Sequence, residues 1–203
     1  MKKFSRIDLL NNSVVGNTGE IFNRLFESKY VRLEIYLPTY DLKRAQVFVM
    51  TVNDLIEDEV DEIFTVEKLI VLLYKDFLRQ VEMGMDIHKL AKILESKIME
   101  RNDNDVAINH YLETKEGISM DDINRQIQKR KQRKNAFSFL TLRVLKKFVL
   151  KGEVLLHDLN ELHPSIHLSV EELIAIRFKD VMSKIKAGDY TILSNIVSSL
   201  TAD

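Results

Sequence analysis

Residues 30–37 read YVRLEIYL, and the fold class turns on their alternation. Val31, Leu33, Ile35 and Leu37 alternate with Tyr30, Arg32, Glu34 and Tyr36. A period of two sends the first set to one face of a strand and the second to the other, which reads as a half-buried strand. Pro38 ends it, since proline has no N–H for a ladder. After a loop, PTYDLKR, residues 45–52 read AQVFVMTV, rich in the β-branched and aromatic types that favour strands. The expectation is an antiparallel β-hairpin of 30–37 with 45–52. A lone hairpin is marginal in water, so it needs a helical layer beneath it or further strands beside it.

The remainder reads as helix. Only 6 Gly and 2 Pro occur among 203 residues, too few for a turn-rich sandwich or barrel. Ile21, Phe22, Leu25 and Phe26 share one helical face in the lead-in, residues 1–29. Thr65 is placed to cap a helix striped by Val66, Leu69, Ile70, Leu73, Phe77 and Val81, with Gly84 as its stop. Asp86 is placed to cap a second, with Ile87, Leu90, Ala91, Leu94 and Ile98 inward. Ser169 and Glu172 have the S-x-x-E spacing of a capping box. They open a helix with Val170, Leu173, Ile174, Phe178, Val181, Met182 and Ile185 inward and Gly188 at its end. A last short helix is expected over 190–200. The class is therefore α+β, mainly α. The polar run 102–118 divides an acidic part, 1–101, from a part that begins basic, 119–203.

Composition sets limits. Hydrophobic residues are 45% and charged residues 30% of the chain, a globular balance. The absence of cysteine excludes disulfides, thiol nucleophiles, cysteine-ligated zinc and iron–sulfur clusters, and fits a reducing, cytoplasmic setting. The N-terminus carries no apolar core of signal-peptide length. Apolar runs such as LIVLLY (69–74) fall far short of a bilayer span, so no membrane partner is expected.

The net charge of −1 hides an asymmetry. Residues 124–152 hold ten of the 30 Lys and Arg and no acid, leaving 20 basic against 31 acidic residues elsewhere. The densest part is RQIQKRKQRKNAF, 125–137. The apolar stripe of Ile123 and Ile127 lapses between Gln128 and Asn135 and resumes at Phe137, Leu140, Val144, Leu145 and Phe148. Those intervening turns have no face to bury, and like charges one turn apart oppose a helix there. The run therefore meets solvent or an anionic surface.

A short helix opened by Ser119 and Asp122, a basic turn, a longer helix over 136–151, then Gly152 and the possible strand EVLLHDL follow the order of a winged helix-turn-helix in 119–160. On this reading the chain is a non-enzymatic nucleic-acid-binding or regulatory protein. Arg125, Lys129, Arg130, Lys131, Arg133 and Lys134 make the contacts, supported by Arg143, Lys146 and Lys147. No aromatic residue is interleaved in 125–136, which speaks against a single-strand stacking platform, since that needs rings between the cations. The alternative is an interaction or assembly protein. Its acidic face, Asp54, Glu57, Asp58, Glu59, Asp61 and Glu62, would meet the basic one (125–151) on a protein partner or a second copy.

His157, Asp158, His163 and His167 have the right chemistry for a divalent metal, but Pro164 breaks the helix that would align the last two. No metal or cofactor is expected. Gly-rich phosphate loops, G-x-S-x-G and H-E-x-x-H are all absent, and no catalytic residue is assigned.

Overall fold

Residues 30–38 do form a strand, but its partner is not the segment that follows. In the computed structural model, which describes residues 2–10, 29–56, 62–98, 137–189 and 191–201, β1 (Tyr30–Pro38) pairs antiparallel with β2 (Phe137–Leu145). The register sets Arg32 against Arg143, Glu34 against Thr141 and Tyr36 against Phe139. The α+β, mainly α class holds, with two strands and six helices among the described residues.

The expected strand 45–52 is instead the middle of α1 (Thr39–Ile56). Its buried residues are Ala45, Phe48, Val49, Val52 and Ile56, spaced by three and four, the helical period. Composition favoured a strand, but the spacing of side chains that reach the core decided the outcome. The expected helix 136–151 also fails. Residues 137–145 are β2, and α4 (Lys146–Leu162) contains EVLLHDL. The order of a winged helix is therefore not what 137–162 form. The helix expected from Ser119, the polar run 102–118 and the lead-in face at 21–26 lie outside the described residues.

The remaining helices follow their start and stop signals. In α2 (Val66–Glu82), Thr65 accepts from the Lys68 N–H, and Gly84 closes the end at φ +98°. Helix α3 spans 87–98. Asp86 accepts from the N–H groups of His88 (2.9 Å) and Lys89 (3.2 Å), and these bonds, that of Lys89 first, hold its carboxyl below the usual range. In α5 (Val170–Lys186) both arms of the Ser169–Glu172 capping box form, and Gly188 follows at φ +83°. Helix α6 is Thr191–Leu200.

One core draws on both ends of the chain, from Phe4 to Ile196. The inner sheet face, Leu33, Ile35, Leu37, Leu142 and Val144, is buried. β1 lies on α5 and β2 on α2. Each such side chain contributes about 1.5–3 kcal/mol through burial, which holds two strands that would not persist alone.

The N-terminal segment is tied down by a buried acid. Glu153 on α4 is fully buried. It accepts from the Ser5 hydroxyl and from the N–H groups of Leu9 (3.0 Å) and Leu10 (2.6 Å). Ser5 Oγ in turn accepts from the Asp8 N–H, where φ is +56°, a left-handed turn that Asp tolerates better than most residues. Beside Glu153, Gly152 leaves room for Tyr74, whose hydroxyl donates to the Phe148 carbonyl at 3.0 Å. Burial, with the charges of Glu153 and Glu171 adding to it, pushes the Tyr74 phenol well above its ordinary range. Among the described residues no helix is long and apolar enough to cross a membrane.

Candidate nucleic-acid interface

With one face of the sheet in the core, the period of two leaves the other in water. Tyr30, Arg32, Glu34 and Tyr36 on β1, and Phe137, Phe139, Thr141 and Arg143 on β2, are all exposed. They are not scattered at random. Tyr36 stacks on Phe137 with centroids 4.8 Å apart and planes within 11°. Phe139 lies 4.8 Å from the same Tyr36 ring, tilted by 46°. Cross-strand ring pairs stabilise a sheet modestly, but Phe139 remains 72% exposed, so little of its ring is used that way.

The cations stand four residues further along, roughly 13 Å at the strand rise. Arg143 lies directly opposite Arg32, and its guanidinium sits 4.3 Å from the centroid of the Tyr30 ring. Like charges opposed across a ladder are unfavourable. The neighbouring carboxylate, Glu34, is engaged by Arg6. The outer face therefore presents the Tyr36, Phe137 and Phe139 rings at one end, and Arg32 and Arg143 with the Tyr30 ring at the other.

Of the residues assigned from sequence, Arg143 is on this face. Lys147 is exposed on the first turn of α4, 5.1 Å from the Phe148 ring centroid. Lys146 is half-buried there, its backbone N–H donating to the Lys29 carbonyl at 2.9 Å. Arg125, Lys129, Arg130, Lys131, Arg133 and Lys134 lie outside the described residues. Tyr36, Phe137, Phe139 and Arg32 went unassigned. The alternation of YVRLEIYL already turned Tyr36 and Arg32 outward. The two phenylalanines were hidden because Phe137, Leu140 and Val144 also fit a helical stripe.

Of the acidic face, Asp54 is exposed on the last turns of α1, and Glu62 pairs with Lys68 at 2.7 Å. Glu57, Asp58, Glu59 and Asp61 lie outside the described residues. The histidines separate. His157 groups with Asp158 and Glu161 on the surface of α4. His163 meets His88 at 3.3 Å and Glu95 at 3.8 Å, and His167 contacts Lys2. The four residues His157, Asp158, His163 and His167 do not converge on one point.

No protein-family profile, curated protein or solved structure matches this chain.

Proposed function

We propose that the protein binds nucleic acid, without enzymatic activity, through the cationic run Arg125–Lys134 and the strand that follows it. The observation that carries this reading is continuity. The run leads into β2 at Phe137, and β2 brings Arg143 beside Arg32 on an open face that also carries aromatic rings. Phosphates supply the affinity, through the Lys and Arg side chains, and each neutralised phosphate makes binding more sensitive to salt.

The test is anisotropy of labelled oligonucleotides across a salt series. Four to six neutralised phosphates give a log–log slope of roughly −4 to −5 on duplex and −3 to −4 on a single strand. Changing Lys129, Arg130, Lys131, Arg133 and Lys134 together to Ala is expected to leave a slope of roughly −1 to −2. Tight, salt-sensitive binding that survives this change would refute the assignment of the run.

A second reading, assembly of copies through the acidic and basic faces, draws on α1. Its outward side exposes Val47, Met50 and Leu55 beside Asp54, more apolar surface than a purely solvated helix presents. Salt-sensitive dimers in sedimentation, with no oligonucleotide affinity, favour it.

A further inference from the structure

We infer that the outward face of the sheet selects single-stranded nucleic acid, with a base stacking on Phe139 beside Tyr36 and phosphates meeting Arg32 and Arg143. This rests on the nucleic-acid reading above and adds the substrate class. Three features of the described residues carry it.

The first is Phe139. The residue is 72% exposed and stands on a paired ladder, with the Tyr36 ring beside it at 4.8 Å and Phe137 stacked on Tyr36 in turn. A paired base hides its faces inside the duplex stack, whereas an unpaired base offers a π-face that an open ring accepts whatever the sequence. The second is the Arg32–Arg143 pair. Arg32 and Arg143 are partners in the register, so two positive side chains rise from neighbouring points of one face, and an anion bound by both offsets their repulsion. Because Arg6 engages Glu34, the face attracts phosphate rather than cations. The third is the secondary structure of 137–145. Reading a duplex groove calls for a protruding helix or ribbon. Here the expected recognition helix is a strand with its inner face in the core, and such a flat surface suits a splayed strand better than a groove. The shared chemistry is a flexible polyanion with unpaired bases, and oligothymidylate and oligouridylate separate DNA from RNA through the 2′-hydroxyl.

The experiment uses the full chain with labelled oligothymidylate, oligouridylate and a duplex of equal length. Wild type is expected to prefer one of the single strands to duplex. Phe139→Ala is expected to weaken single-strand binding about five- to 150-fold, the usual loss for one stacked base. Its duplex affinity and salt slope should stay as they are, since no phosphate contact changes. Phe139→Trp is expected to retain binding, and circular dichroism of each variant guards against misfolding. Arg32→Ala with Arg143→Ala should instead lower the salt slope by roughly 1 to 2. If Phe139→Ala binds like wild type while the five-alanine variant of the run does not, the sheet face is wrong and the nucleic-acid reading stands. If wild type binds none of the three probes, both fail. Dimers abolished by Phe139→Ala would assign the face to a second copy and overturn the inference.

Discussion

Gly152→Ala is expected to destabilise the protein by about 3 kcal/mol, the upper end of ordinary overpacking. In a helix interior that substitution normally helps by about 1 kcal/mol. The sign reverses here because the new methyl would lie 2.0 Å from the Tyr74 hydroxyl oxygen. Tyr74 cannot swing away, since its ring is 1% exposed and its hydroxyl donates to Phe148. Val170 Cγ2 at 3.2 Å and the nearest Tyr74 ring carbon at 3.3 Å would be tight but not prohibitive, each yielding to shifts of a few tenths of an ångström. Tyr74→Phe alone should cost about 1 kcal/mol, for one lost hydrogen bond. The double variant should then return to within about 1 kcal/mol of wild type. A urea-denaturation cycle over the four proteins measures the coupling. Simple additivity of the two single losses would show that the hydroxyl is not what excludes the methyl.

Glu153→Ala should be at least as damaging, at about 3–5 kcal/mol. The carboxylate is fully buried and satisfies the Ser5 hydroxyl and the N–H groups of Leu9 and Leu10. Removing it strands those donors, each at about 1–3 kcal/mol where burial denies them water. Glu153→Gln keeps the shape but turns an amide donor toward other donors, so a smaller loss is expected. Hydrogen exchange adds a local readout: the Leu9 and Leu10 amides should lose protection before the rest of the core. Unchanged protection in Glu153→Ala would mean that other ties, among them the Val170 N–H to the Phe4 carbonyl at 2.7 Å and the Arg6 N–H to Glu171 at 3.1 Å, suffice to hold the segment.

What could be read from sequence was local. Thr65, Asp86 and Ser169 with Glu172 announce helix starts because capping chemistry lies within three residues of the cap. Gly84 and Gly188 mark helix ends for the same reason, as positive-φ positions beside the last turn. β1 was legible because its alternation is complete. Its partner was not, because strand pairing across the chain leaves no signal in either strand alone. Residues 45–52 misled through their β-branched content, although Ala45, Phe48, Val49, Val52 and Ile56 already carried a helical period. At 137–145 the alternation of Leu140, Leu142 and Val144 with Thr141 and Arg143 was masked by the outward Phe137 and Phe139. The same rings are what the candidate site needs. Their outward position contradicts the rule that apolar residues go inside, and such local inconsistencies are where functional residues are found. The absence of aromatics within 125–136 counted against stacking, but a strand beginning at Phe137 with Tyr36 across the ladder supplies the rings from outside that window.

The strand entered from the cationic run is the proposed place where nucleic acid is held. Ultraviolet crosslinking of oligothymidylate to the full chain, followed by mapping of the modified peptides, tests that contact directly. The expected result is adducts on Phe139 and Tyr36 that disappear at high salt. Adducts confined to the surfaces of α5 and α6, with Tyr36 and Phe139 unmodified, would contradict it.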